Sequence, residues 1–131
     1  MSIERHPTHN RSAWLAMRKT VVSASEIAAL FGSHPYKSPL QLFADKTGRS
    51  PEVADNAAMR RGRILEPAVA EAWAEEYGER LAKCDYVLID SARRIGATPD
   101  YVDGTGCPVE MKTVAPEKWA EWGEQPPFAY T

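Results

Sequence analysis

Apolar side chains recur at helical spacing through the first half of the chain. Trp14, Leu15 and Met17, set among polar neighbours, predict a short helix over residues 12–19. Ser23-Ala24-Ser25-Glu26 then has the form of a capping box, in which Glu26 reaches back to the cap's own N–H. Ile27, Ala28, Leu30 and Phe31 carry that helix to a stop at Gly32. Ser38-Pro39 marks another start, a cap followed by a proline whose missing N–H costs nothing in a first turn. Leu40, Leu42 and Phe43 are its apolar positions and Gly48 its close. Residues 48–55, rich in Gly, Pro and polar side chains, read as a loop. From Asn56 a longer helical pattern runs to Tyr77, with Leu65, Val69, Trp73 and Tyr77 spaced by four and Gly78 beyond the last turn. Pro67 predicts either a kink there or a fresh helix whose first turn holds Leu65, Glu66 and Pro67.

The period changes in the second half. Tyr86-Val87-Leu88-Ile89 is a short apolar run, residues 97–102 a second extended segment and residues 109–114 a third. Asp103-Gly104-Thr105-Gly106, between the last two, is a strong hairpin turn. Pro116 opens a last short helix over 117–122, ended by Gly123. Helices, then a three-strand meander, then a helix predict an α+β domain with helices packed on a mostly antiparallel sheet.

Length and composition narrow the class. A chain of 131 residues is expected to form one domain over residues 1–131 around a modest core. With 44% hydrophobic and 26% charged residues it has the composition of a folded protein rather than a disordered tail. No apolar run approaches the ~20 residues of a membrane span, and Met1 to His6 lacks the apolar stretch of a signal peptide. Cys84 and Cys107, being two, supply neither a disulfide framework nor a four-cysteine metal site, and a reducing cytoplasm is the expected compartment. The net charge of −2 excludes a protein that holds nucleic acid by bulk positive charge. It hides an asymmetry, for residues 1–65 carry ten Lys/Arg against five Asp/Glu and residues 66–131 six against thirteen. A surface that grips an anion beside a cluster of carboxylates would carry such a pattern, as would solvated charge scattered by chance.

The chemistry centres on Asp100, Glu110 and Lys112, on the arms of the expected hairpin. Glu110 and Lys112 are two apart, so on a strand both side chains leave the same face. Nine residues separate Asp100 from Glu110, and a hairpin centred on Thr105 sets the two carboxylates opposite each other on one face. Like charges so placed destabilise a strand pair unless a cation offsets them. Two carboxylate oxygens, the Met111 carbonyl and several waters make the hard oxygen shell that Mg²⁺ prefers. Lys112 beside it could orient or deprotonate a water, or neutralise charge on a phosphate, which points to metal-assisted phosphodiester hydrolysis. Glu66 is a candidate third carboxylate, although a helix dipole alone favours glutamate in a first turn. The bland alternative is a solvated hairpin on which Glu110 and Lys112 merely pair.

The surroundings of this triplet carry a resemblance. Trp14-Leu15-Ala16-Met17-Arg18, Ser23 to Leu30 and Pro35-Tyr36-Lys37-Ser38-Pro39-Leu40 are followed by Met59-Arg60-Arg61-Gly62-Arg63-Ile64-Leu65-Glu66-Pro67, Ala97-Thr98-Pro99-Asp100 and Val109-Glu110-Met111-Lys112-Thr113. In order and spacing these segments resemble the YqaJ-type viral recombinases, relatives of the phage lambda alkaline exonuclease, over roughly residues 11–115. The resemblance implies a PD-(D/E)XK (restriction-endonuclease-like) core and an exonuclease, dependent on Mg²⁺ or Mn²⁺, that degrades one strand of linear double-stranded DNA from its 5′ end in phage-type recombination. It implies Asp100 and Glu110 as metal-binding carboxylates, Lys112 as the catalytic lysine, the Met111 carbonyl as a further ligand and Glu66 as the helical acidic residue of the active site. Asp90 falls by spacing where relatives have an acidic residue ahead of the Pro-Asp motif. Arg18, Ser25 and Thr98 correspond to residues that hold the 5′-terminal phosphate.

Physical chemistry adds independent support at Ser25 and Arg18. A serine in a capped first turn lies among free N–H groups, and an arginine supplies a bidentate donor. Ser25 reads equally as a helix-start serine with no ligand. Arg60, Arg61 and Arg63 would line the DNA path, or form an ordinary solvated helix face. Family members continue past the Glu-x-Lys strand with a helix bearing a glutamine motif. Here Gln125 is followed by Pro126-Pro127 and does not match it, so the C-terminal part of the family fold is expected to be missing. That leaves a second class of function open, a catalytically inactive or incomplete nuclease fragment that binds DNA ends or a partner. By resemblance the partners are DNA ends, a phage single-strand-annealing protein and further copies in a ring trimer, with no membrane. His6 and His9, too few for a structural metal site, read as part of a flexible terminus, and Trp73, Trp119 and Trp122 as core.

Overall fold

The computed structural model describes residues 3–51 and 53–124. In chain order the elements are β1 (Ile3–Pro7), α1 (Arg11–Thr20), β2 (Val22–Ser23), a 3-10 turn (Ala24–Glu26), α2 (Ile27–Leu30), α3 (Pro39–Lys46), α4 (Ala57–Tyr77), β3 (Ala82–Lys83), β4 (Tyr86–Asp90), β5 (Ile95–Ala97), β6 (Tyr101–Val102), β7 (Pro108–Val109) and α5 (Pro116–Trp119). The helix starts follow local chemistry. Asn10 accepts from the Ala13 N–H at 3.0 Å to begin α1, and Ser38 and Gln41 form a reciprocal box at α3, with bonds of 3.2 and 2.8 Å. Asn56 accepts from Met59 at 2.9 Å to begin α4, and Gly78, at φ +65°, ends it in the left-handed conformation that a side chain resists.

Two compact units emerge, one of residues 3–51, 85–98 and 122–124, the other of 53–84 and 99–121. In the first, a sheet of order β1-β4-β5-β2 is antiparallel except for the parallel β2–β5 pair. Val21, Val87 and Ile89 form its buried cluster, and Trp14 and Met17 of α1 pack against it. Leu42 and the alanine pair Ala28 and Ala29 are buried where α2 and α3 meet. The second unit holds α4, α5 and a sheet of order β3-β6-β7, antiparallel throughout. Among the described residues no helix is long and apolar enough to cross a membrane.

Several expectations need correction. The terminus holding His6 is a strand, because β1 finds the full length of β4, from Ile3 opposite Asp90 to Pro7 opposite Tyr86. The 97–102 segment is not one strand of a meander. Thr98-Pro99-Asp100 divides it, so that β5 pairs with β4 and β2 whereas β6 pairs with β3 and β7. A proline has no N–H for a ladder, and the residue before it is held extended, which suits a crossing point. The 109–114 segment keeps its pairing only to Val109. Past it the Met111 N–H goes to the Asp100 carboxylate, at 2.8 Å, rather than to a neighbouring carbonyl. Helix α4 continues through Pro67 with no fresh start. The helix after Ser23 is only a 3-10 turn followed by four residues of α2, and α5 ends at Trp119 rather than 122.

At Gly96, β5 lies close against its neighbours. A Cβ there would stand 3.0 Å from Val21 Cγ2 and 3.3 Å from the Leu88 carbonyl oxygen. Gly96→Ala is expected to lower unfolding free energy by about 1–3 kcal/mol, the usual cost of overpacking a core, read by urea denaturation.

Candidate active site

The β6–β7 hairpin sets the geometry. Its turn is held by Asp103, whose Oδ1 accepts from the Thr105 N–H at 2.8 Å, the Thr105 hydroxyl at 2.7 Å and the Cys107 N–H at 2.9 Å. Gly106 supplies the positive φ, +87°, that the turn requires. Tyr101 pairs with Val109 and Val102 with Pro108, so the register carried one residue outward brings Asp100 opposite Glu110. Their carboxyl groups interact, and Lys112 Nζ donates to Glu110 Oε1, which places all three head groups on one side of the hairpin. Burial pushes the Asp100 carboxyl above its ordinary 3.8, and the Glu110 charge adds to that push. The Met111 N–H and the Lys112 ammonium oppose it without cancelling it.

Glu66 belongs to the same unit. It projects from α4, and Lys83 of β3 donates to its Oε1 at 2.5 Å. Lys83 also lies over the Tyr101 ring, 5.2 Å from its centroid, and feels the Asp100 charge. Sequence reasoning passed over Lys83, for β3 is two residues long and carries no periodicity. The helix runs beside the Glu-x-Lys segment, since a Cβ built at Gly62 would stand 3.8 Å from Thr113 Oγ1, an ordinary contact. Among the described residues no three His, Cys, Asp or Glu side chains cluster as a metal site. The Asp100–Glu110 pair still fits a hard divalent cation, because two interacting carboxylates with one driven towards protonation are the donors such an ion stabilises.

The first unit gathers the other predicted group. Arg18 Nη2 donates to Ser23 Oγ at 3.3 Å, and Ser23 Oγ lies 3.2 Å from the exposed Ser25 Oγ. Behind them is Glu26, only 7% exposed. Burial pushes its carboxyl up, but hydrogen bonds from Lys46 and Ser23 with the Lys46 charge outweigh that and hold it below its ordinary 4.5. The helix beyond Ser23 is too short to bring much dipole. Thr98 is exposed just past β5. Asp90, in this unit, accepts from Arg93 Nη1 at 2.5 Å and from the Arg93 N–H at 3.0 Å. Arg60 and Arg61 are exposed on α4, and Arg63 is engaged by Asp55 in a bidentate pair of 2.9 and 2.5 Å. Gln125 lies outside the described residues.

The family model described as the YqaJ-like viral recombinase domain matches residues 13–130. The chain belongs to that family. It is 27% identical over 119 residues to the uncharacterized protein YqaJ of Bacillus subtilis (strain 168), covering 88% of this chain and 37% of that protein. An alkaline exonuclease from Laribacter hongkongensis, LHK-Exo, superposes with a TM-score of 0.65 at 26% identity, over 84% of this chain and 57% of its own. LHK-Exo in complex with dAMP matches with a TM-score of 0.54 at 30% identity, over 71% of this chain and 48% of its own. The chain thus spans little more than half the length of the exonuclease, and less of YqaJ. The exonuclease likeness agrees with the expected PD-(D/E)XK core and its antiparallel-rich sheets.

For this YqaJ-family chain the two electrostatic environments predict opposite pH behaviour. A carboxyl held low stabilises the fold above its ordinary value and loses that contribution as pH falls through the folded value. Thermal denaturation between about pH 5 and pH 3 should therefore show a steeper loss of Tm in wild type than in Glu26→Gln. Asp100, pushed up, favours the fold below its ordinary value and costs stability as pH rises through the folded one. Asp100→Asn, which keeps an oxygen for the Met111 N–H, should raise the metal-free Tm at pH 7, read by calorimetry.

Proposed function

We propose that this chain is a metal-dependent exonuclease that hydrolyses one strand of linear duplex DNA from its 5′ end. The observation that carries the reading is the pairing register that brings Asp100 against Glu110 with Lys112 beside them. Mg²⁺, or Mn²⁺ in its place, held by Asp100, Glu110 and the Met111 carbonyl, would polarise the scissile phosphodiester and acidify an attacking water. Lys112 supplies the mobile cation of the site. Its ammonium now neutralises Glu110, and a bound cation would free it to orient the water or to face charge developing on the phosphate. Glu66, paired with Lys83, is the further carboxylate. Arg18 and Ser25 hold the terminal 5′-phosphate, with Thr98 assisting, and exposed Arg60 and Arg61 contact the backbone. Each cut would release a 5′-mononucleotide and leave a new 5′-phosphate for the same residues. The family likeness supports duplex ends as the substrate class; a single-strand-annealing partner and a homotrimeric ring belong to the same proposal.

The test offers 5′-phosphorylated linear duplex and covalently closed circles, with and without Mg²⁺. Wild type should release mononucleotides from the linear substrate only, and only with the metal. Glu110→Ala and Lys112→Ala should each lose at least about 100-fold in rate, the scale of a missing general acid–base or charge-stabilising group. Release that ignores the metal or either substitution overturns the reading. End binding without turnover by wild type would instead assign a non-catalytic end-binding role.

A further inference from the structure

The hydrolytic reading leaves Glu26 without a task, yet five polar contacts converge on it. Its Oε2 accepts from the Ser23 N–H at 3.0 Å, the Ser23 hydroxyl at 2.6 Å and Lys46 Nζ at 2.6 Å. A capping box requires only the first of these. Its Oε1 faces Arg18 Nη2 at 3.7 Å and Lys37 Nζ at 3.8 Å.

The three cations are not equivalent. Lys46 is spent, since its ammonium also donates to the Arg18 carbonyl oxygen at 2.7 Å. Lys37 is spent on Asp45 at 2.7 Å. Arg18 has one long hydrogen bond, 3.3 Å to Ser23 Oγ, and its guanidinium lies over the Trp14 ring at 5.0 Å from the centroid. It is therefore held in place with most of its five donors unspent. The Ser23 hydroxyl has a single proton and gives it to Glu26. Ser23 Oγ, which also accepts from the Glu26 N–H in the capping box, then faces Arg18 and Ser25 only as an acceptor, so Glu26 fixes the direction of the Arg18–Ser23–Ser25 chain.

We infer that Glu26 is a positioning residue for the DNA terminus: through Ser23 it sets Arg18 and Ser25 in the arrangement that grips a phosphate monoester. This rests on the terminal-phosphate role of Arg18 given above. A carboxylate behind an anion site repels the anion, so its charge works against binding, and order is what it contributes in return. The flanking lysines offset that charge, for three cations face the carboxylates of Glu26 and Asp45.

The three roles open to Glu26 differ in the sign of the effect. The experiment measures equilibrium binding by fluorescence anisotropy in EDTA of one labelled duplex carrying either a 5′-phosphate or a 5′-hydroxyl. The readout is the ratio of the two Kd values. Positioning predicts that Glu26→Gln lowers the wild-type preference for the phosphate by about tenfold or more. Ser23→Ala, which leaves the Glu26–Lys46 pair intact, should do the same and covers the case in which Glu26→Gln folds poorly. A preference that rises in Glu26→Gln would make Glu26 a mere electrostatic penalty and overturn the inference. Equal weakening for both ends, with the ratio kept, would make it structural and also overturn it. If wild type treats both ends alike, the terminal-phosphate reading falls and takes this inference with it. A wild-type preference that survives both substitutions defeats this inference alone.

Discussion

Two carboxylates that repel each other are forced into contact by a hairpin that cannot pair any other way. The turn closed by Asp103 fixes Tyr101 against Val109 and Val102 against Pro108. Slipping by one residue would send buried Tyr101 to the opposite face, so the apolar pairing enforces the polar one. Asp100 and Glu110 bear the consequence, partly relieved by the Met111 N–H and by Lys112. A protein selected for stability alone would not keep that pair, because like charges across a hairpin oppose its folding. A divalent ion bound there would make it favourable, and the proposed hydrolytic chemistry depends on that same ion.

The first unit solves the converse problem. Glu26 is buried and would be costly unpaired, yet Lys46, Lys37 and Arg18 stand within 4 Å of it; each has a further acceptor, and that of Arg18 is a single long hydrogen bond to Ser23 Oγ. What remains is one arginine that is oriented without being consumed. A rigid donor set of this kind loses little entropy when an anion arrives, and binding strength comes from that order as much as from charge.

The charge asymmetry along the sequence does not follow the border between the two units. Ten basic residues lie within 1–65, yet Arg60, Arg61 and Arg63 belong by contact to the carboxylate-bearing second unit. Asp90, in the acidic half, belongs to the first. A running sum of charge follows the chain, whereas the units exchange segments at residues 85–98 and 99–121. The family match, over residues 13–130, takes in segments of both units.

By itself the sequence determined what is local. Ser38-Pro39, Asn56 and Gly78 sit at helix ends as expected, since a cap involves atoms only a few residues apart. The parity of Asp100, Thr105 and Glu110 was equally legible, because a tight turn couples its two arms directly. Tertiary structure alone decided the rest. It made a strand of the terminus around His6, split 97–102 between two sheets, gave Glu66 its partner Lys83 and surrounded Glu26 with Arg18, Lys37 and Lys46. Each of those outcomes joins groups from distant parts of the chain, and such contacts depend on packing and pairing that no local pattern of residue types encodes.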